Sequence, residues 1–218
     1  MELHFDQEQT QLKEELLRMS ALTDQAVGEA LKALITRDDE LARKVRDGDD
    51  VIDHLQMDID EHTVALIALR QPKARDLRFL IVTMKIASEL ERIADQAVSL
   101  ANRAIELNRE PQLKPYIDVP RMAEHSRGMV HDALDAFVYA KPDLAREVIK
   151  RDERVDMIND QLYRELTSFM VEDPKTITRA LNLMTVSRKL ERIADHATNI
   201  SEEVVYLYEG RDIRHQHE

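Results

Sequence analysis

The chain carries one six-residue segment twice, Leu-Glu-Arg-Ile-Ala-Asp at residues 90–95 and again at residues 190–195. The similarity continues in the same order elsewhere: residues 41–53 resemble residues 144–156, and Pro72-Lys73 resembles Pro174-Lys175. Repetition of several segments in one register indicates an internal duplication. We therefore expect the chain to contain two copies of one structural unit.

Apolar residues recur at helical spacing through six long stretches, which predicts an all-α protein. The four glycines, six prolines and 4% aromatic residues also favour helices over a sheet. We expect helices over about residues 6–36, 38–70, 73–108, 119–139, 142–171 and 174–208, with a bend in the second helix at Gly48.

Three prolines within ten residues, Pro111, Pro115 and Pro120, separate the third predicted helix from the fourth. This cluster predicts a linker between two halves of the chain, residues 1–110 and residues 111–218. Three helices joined by short connections predict an antiparallel bundle in each half. The predicted architecture is two tandem three-helix bundles.

Composition excludes several classes of function. The chain has no cysteine, which rules out disulfides and thiolate metal sites. Its net charge of −12 opposes nonspecific binding to nucleic acid or to anionic lipid. No segment approaches the roughly 20 apolar residues that span a bilayer, and residues 1–4 do not begin a signal peptide. We expect a protein that is not inserted in a membrane, and the lack of cysteine is compatible with a reducing cytoplasm.

The repeated segment places two acids one helical turn apart on a line of apolar side chains. We expect both acidic pairs to share the buried face, where desolvation and mutual repulsion disfavour ionisation. The preceding helix of each half carries a second acidic pair at the same spacing. The four pairs are Asp49 with Asp53, Glu91 with Asp95, Asp152 with Asp156, and Glu191 with Asp195.

Two kinds of partner would neutralise these acids. If the neighbouring helices bring the pairs together, each half gathers four carboxylates, a set of oxygen ligands suited to iron, manganese, magnesium or calcium. Alternatively, the acids lie at helix edges and form ordinary ion pairs with Lys44, Arg92, Arg154 and Arg192. Four pairs, two of them on apolar stripes, favour the metal hypothesis.

An enzyme is the alternative class, most plausibly a helical-bundle metalloenzyme with carboxylate-bridged metal clusters. Ferritin-like di-iron sites need a Glu-x-x-His motif, and no histidine here follows a glutamate at that spacing. A purely structural scaffold is a third possibility. His54, Asp58 and His62 form a ladder without a counterpart in the second half, which predicts a solvated stripe. His215 and His217 are expected in a frayed tail.

The two repeated acidic segments, their Asp-rich partners and the segment RQPKARDLR at residues 70–78 together resemble the PhoU family. The resemblance covers nearly the whole chain, and its motifs occur in the order typical of the family. It implies a two-fold repeat of three-helix bundles. Many members have glycine where this chain has Ala94 and Ala194, and alanine keeps those positions small.

The resemblance also implies a function. PhoU proteins are cytoplasmic negative regulators that restrain a Pst-type phosphate ABC transporter and its PhoR-type sensor histidine kinase when phosphate is plentiful. They are not enzymes, so no catalytic residue is expected. The implied partners are proteins at the inner face of the membrane and a second copy of the chain.

The resemblance implies multinuclear metal clusters held by the family's acidic motifs, with iron or zinc as the leading candidates. Carried over residue by residue, the implied ligands are four acids in each half. They are Asp49, Asp53, Glu91 and Asp95 in the first, and Asp152, Asp156, Glu191 and Asp195 in the second.

Overall fold

A computed structural model describes residues 2–214 of the chain and shows helices without a strand in that range. The all-α prediction and the prediction of two similar bundles are confirmed. The helices are α1 (Glu2–Thr36), α2 (Asp39–Asp47), α3 (Asp50–Arg70), α4 (Ala74–Leu107), α5 (Asp118–Val138), α6 (Pro142–Glu172) and α7 (Ile177–Glu209), with a 3-10 turn at Pro174–Thr176.

The second predicted helix is broken rather than merely bent. Asp38 begins α2 by accepting a hydrogen bond from the Leu41 amide, and Gly48 ends it with its own amide bonded to the Val45 carbonyl. Asp49 then lies between α2 and α3, without a side-chain capping bond. The equivalent stretch of the second half stays inside the continuous helix α6. The two halves therefore differ at the point where each presents its first predicted acid.

Residues in the left-handed backbone conformation end α3 and α7. Gln71 ends α3 in the left-handed conformation just before Pro72. Gly210 ends α7 at a φ of 68°, which glycine adopts without a steric penalty. A Cβ at Gly210 would also lie 2.7 Å from Nη1 of Arg78. The predicted stop at this glycine is confirmed.

The helices pack as two bundles joined side by side. In the first, α4 contacts α1, α2 and α3; in the second, α7 contacts α5 and α6. The bundles meet chiefly along α4 and α7, the two helices that carry the repeated segment. Residues 108–117 connect the halves outside any helix and contain two of the three clustered prolines. The boundary after residue 110 stays a prediction.

The repeated segment supplies core residues to both bundles. Leu90, Ile93 and Ala94 are at most 1% exposed, and the equivalent residues of α7 are fully buried. The acids flank this core. Glu91 and Glu191 are half-buried, whereas Asp95 and Asp195 are exposed.

The expectation that both acids of each segment share the buried face is therefore wrong for the aspartates. Helices of the same bundle and of the other bundle contact α4 and α7 from different sides. The buried sector thus centres on the leucine, isoleucine and alanine of the repeat, and the acids lie at its edge. A helical wheel drawn for one packed face does not capture this arrangement.

No helix in the described range is both long enough and apolar enough to cross a membrane.

Small side chains set the spacing around α4. Ala87, Ala97, Ala101 and Ala104 are all 0% exposed. Alanine at these positions lets neighbouring helices approach closely, so a larger side chain has to displace one of them.

We expect Ala97→Leu to lower the free energy of unfolding by about 1–3 kcal/mol, because the added atoms overfill a packed interior. Chemical denaturation followed by circular dichroism measures the change. Ala65→Leu, at an exposed position of α3, is the control and should alter stability little. Equal stability of the two variants would contradict the close packing of α4.

Candidate metal centre

The four predicted acids of the first half act on one another electrostatically. Burial, together with the charges of Asp53 and Asp95, raises the pKa of Asp49 to about 6. The pKa of Glu91 is raised by burial and then by the charges of Asp95, Asp53 and Asp49. Packing of α3 against α4 thus brings both predicted pairs into one cluster, which we call the first quartet.

The second half repeats the arrangement with Asp152, Asp156, Glu191 and Asp195, the second quartet. Burial, together with the charges of Asp156, Asp195 and Glu191, raises the pKa of Asp152 to about 7. The pKa of Glu191 is also raised, by burial and then by Asp195 and Asp156. Here α6 and α7 supply the two pairs, so each quartet draws on two adjacent helices of its bundle.

None of the eight acids forms a side-chain hydrogen bond or an ion pair with any described residue. Oδ1 of Asp152 is buried without a hydrogen-bond partner. An unpaired buried carboxylate oxygen is costly because it has lost its water and gained no donor. The structure therefore leaves an electron-rich oxygen that a cation could satisfy.

The basic residues offered as ordinary partners form no ion pair with the quartets. Lys44 pairs with Glu29 at 3.3 Å, and Arg92 lies 3.8 Å from Glu89, although its charge also lowers the pKa of Glu91. Partial burial of its carboxyl group leaves the pKa of Asp195 raised, despite the opposing charges of His196 and Arg192. Other acids on the bundle surfaces are paired with a base, as in the bidentate contact of Asp24 with Arg127 at 2.6 and 2.7 Å.

The carboxyl groups of each quartet are neighbours, but their oxygens do not lie close enough together to surround one metal ion. In the described range, one set of three or more candidate ligands has atoms within 4.8 Å of one another, and it lies on α5 rather than in a quartet. That set is His131, Asp132 and Asp135. Arg151 already occupies Asp132 at 2.6 Å, so this set is an ordinary surface ion-pair cluster.

Asp160 is a neighbour of the second quartet that the sequence reasoning missed. Its charge raises the pKa of both Asp156 and Glu191. The signal was present, because Asp152, Asp156 and Asp160 continue one ladder at four-residue spacing. In the first half the equivalent position is Met57, so the second quartet is the more acidic of the two.

The histidine ladder of α3 does not form a metal site. His54 and Asp58 are exposed, as the solvated-stripe prediction requires. His62 departs from it: the residue is half-buried, and its Nδ1 lies 3.1 Å from Oε2 of Glu15 on α1. His215 and His217 lie outside the described residues.

Known proteins resemble this chain along nearly its whole length. The PhoU domain family matches residues 16–104 and residues 119–204, one match in each bundle. A protein of Aquifex aeolicus named "Phosphate-specific transport system accessory protein PhoU homolog" is 44% identical over 100% of this chain and 97% of its own length. The Escherichia coli protein named "Phosphate-specific transport system accessory protein PhoU" is 33% identical over 97% of this chain and 88% of its own.

Solved structures agree with the sequence relatives. The crystal structure of PhoU from Pseudomonas aeruginosa has a TM-score of 0.91 and 42% identity, covering 95% of this chain and 100% of that one. The phosphate transport system regulatory protein PhoU from Streptococcus pneumoniae has a TM-score of 0.89 and 31% identity, with coverage of 95% and 98%. With two domain matches and relatives similar over nearly their full length, this chain belongs to the PhoU family.

Proposed function

We propose that this chain is a non-enzymatic regulator of a phosphate-specific transport system. The observation that carries the proposal is the full-length similarity to proteins named as accessory or regulatory components of such systems. These names describe a role beside a transporter rather than a reaction. In this proposal the two acidic quartets bind a cation, which would let such a protein respond to its surroundings.

The proposed metal ligands are the two quartets. Asp49, Asp53, Glu91 and Asp95 would hold one centre, and Asp152, Asp156, Glu191 and Asp195 the other, with Asp160 beside the second. The unpartnered Oδ1 of Asp152 and the raised pKa of Asp49 and Asp152 support this assignment. A bound cation would offset the repulsion within each quartet and join two helices of the same bundle.

The donor chemistry limits the choice of metal. Each quartet offers only carboxylate oxygens, which suit hard cations such as ferric iron, manganese, magnesium and calcium. Zinc also accepts carboxylates, although it more often binds nitrogen or sulfur. Iron and zinc remain the metals that we propose first, because the family resemblance adds them to this chemical argument. Carboxylates can bridge neighbouring ions, so either centre could contain more than one.

The proposed partners are a Pst-type phosphate transporter and a PhoR-type sensor histidine kinase. In this proposal the chain works in the cytoplasm as a homodimer and reaches the membrane only through these proteins. It restrains uptake and phosphate-limitation signalling when phosphate is plentiful. Arg75, Asp76 and Arg78 of the segment RQPKARDLR are candidate contact residues at the start of α4.

Removing two ligands should empty the first centre. We expect Glu91→Gln with Asp95→Asn to lower the metal content of purified protein to that of one centre, while helicity persists because both residues lie outside the core. Elemental analysis of untagged protein measures the metal. Asp143→Asn with Glu147→Gln is the matched control, an exposed acidic pair at the same spacing on α6. Unchanged metal content in the first variant would refute the ligand assignment.

The second quartet should make the metal-free protein less stable as pH rises. Asp152 has a pKa of about 7 in the folded protein, above its ordinary value of 3.8, so the folded state holds the proton more tightly. Stability is therefore lost between about pH 4 and pH 7, as the carboxyl ionises first in the unfolded and then in the folded state.

We expect Asp152→Asn to stabilise the metal-free protein by about 1–3 kcal/mol at pH 8, after allowance for solvent screening, and to have little effect at pH 3. Urea denaturation across this range tests it. Asp143→Asn on the same helix, at an exposed position, should show no such pH dependence. A pH-independent effect of Asp152→Asn would mean that this carboxyl titrates normally.

The regulatory proposal has a cellular test. In cells carrying this protein and its transport system, deletion should increase uptake of labelled phosphate from phosphate-rich medium, and the wild-type chain should restore restraint. The Asp143→Asn, Glu147→Gln chain is expected to restore it as well. Unaltered uptake after deletion would oppose the proposed function whatever the metal content.

A further inference from the structure

A polar cavity of about 310 Å³ lies where the two bundles meet, far from either quartet. Residues of α1, the start of α4, the α5–α6 connection and the end of α7 line it. Arg75 in its wall and Glu91 of the first quartet are separated by about 24 Å along α4, at about 1.5 Å per residue. The cavity is therefore a separate feature, which the metal proposal does not use.

Lys13 brings a poorly compensated positive charge to this cavity. The residue is half-buried, and its ammonium donates to the Val138 carbonyl at 3.3 Å and lies 5.8 Å from the centre of the Phe79 ring. Neither contact supplies a negative charge, and no described carboxylate lies within 4.0 Å of the ammonium. Burial accordingly lowers the pKa of Lys13. An anion in the cavity would supply the missing partner.

Arg75 adds a second positive charge to the wall of the cavity. Its charge lowers the pKa of Tyr208, which burial raises, so its guanidinium lies within electrostatic reach of that ring. The Tyr208 hydroxyl is itself fixed, because it donates to the Phe137 carbonyl at 2.7 Å. Arg75 is exposed and makes no ion pair with a described residue, which leaves its five N–H donors available.

Asp76 gives the cavity an acceptor beside the two cations. Its side chain is half-buried and has no hydrogen-bond or ion-pair partner among the described residues. A ligand that matches all three charges needs anionic oxygens for Lys13 and Arg75 and an O–H donor for Asp76. Hydrogen phosphate has both, whereas sulfate at neutral pH carries no proton and would be repelled by the carboxylate.

We propose that this cavity binds free inorganic phosphate. Lys13 and Arg75 contact its charged oxygens, the Gln9 amide donates a further hydrogen bond, and Asp76 accepts the phosphate proton. The cavity exceeds the volume of the ion, so water fills the remainder. The choice of phosphate rests on the proposed function, whereas the match to a protonated oxyanion rests on the charges alone. Phosphate bound between the bundles would act on their junction.

Calorimetric titration of the purified full chain with inorganic phosphate at neutral pH tests this site. We expect a dissociation constant of about 0.1–10 mM and sulfate binding at least about tenfold weaker. Lys13→Met, which keeps the length of the side chain, should weaken phosphate binding about tenfold. Lys150→Met, which removes an exposed lysine from α6, is the control and should bind phosphate normally.

Asp76→Asn separates recognition from a general loss of structure. It should weaken phosphate binding and strengthen sulfate binding, so that discrimination between the two ions falls. A variant whose cavity is merely disrupted would instead lose the binding of both ions. Every titration is repeated with a chelator, because phosphate can also bind a metal in a quartet. Binding that disappears with the chelator, persists undiminished in Lys13→Met, or is equal for sulfate would overturn the proposal.

Adenosine monophosphate distinguishes free phosphate from the phosphate group of a larger ligand. Weaker binding of the monoester supports the free ion, because the phosphate group of a monoester is mostly without a proton at neutral pH and cannot donate to Asp76. Tighter binding overturns that assignment. These titrations are independent of the cellular test. Uptake regulated by a chain that does not bind phosphate refutes this inference alone, while phosphate binding by a chain that does not affect uptake refutes the proposed regulatory function alone.

Discussion

Helix packing in this protein holds like charges together. The apolar residues of the repeated segment fix α4 and α7 in the interior. This packing also fixes the positions of the acids that lie next to them in the sequence. Two carboxylates from a neighbouring helix meet them in each bundle, so mutual repulsion opposes burial at the same place where the core stabilises it. The free energy of the apolar core maintains this arrangement. A cation would remove the conflict, which is the physical basis of the proposed metal site.

The duplication produced two sites that are similar but not equal. The first begins at a break between helices, at Asp49, while the second begins inside the continuous helix α6 at Asp152. The second also has Asp160 close by, where the first has Met57. The two quartets therefore differ in charge and in the backbone context of their first acid.

The junction of the bundles contains a different chemistry. There several polar side chains are paired across the interface, as for Lys85 with Glu203 and His196 with Glu89 at distances of 2.8 and 2.7 Å. The cavity at one end of this junction departs from that pattern, because Lys13, Arg75 and Asp76 face it without an ion pair. The molecule thus separates two kinds of unmatched charge: acids within each bundle, and a mixed set between the bundles.

The sequence by itself determined the all-α class, the duplication and the spacing of the eight acids, because these depend on local spacing and on the repetition of one segment. It indicated a bend at Gly48, where the structure has a break between α2 and α3. Only the tertiary structure decided that Asp95 and Asp195 are exposed, that Lys44 and Arg92 pair elsewhere, and that Asp160 belongs beside the second quartet. It alone brought Lys13 of α1 to the start of α4. The physical reason is that spacing along a helix fixes which side chains share a face, whereas packing decides what that face meets.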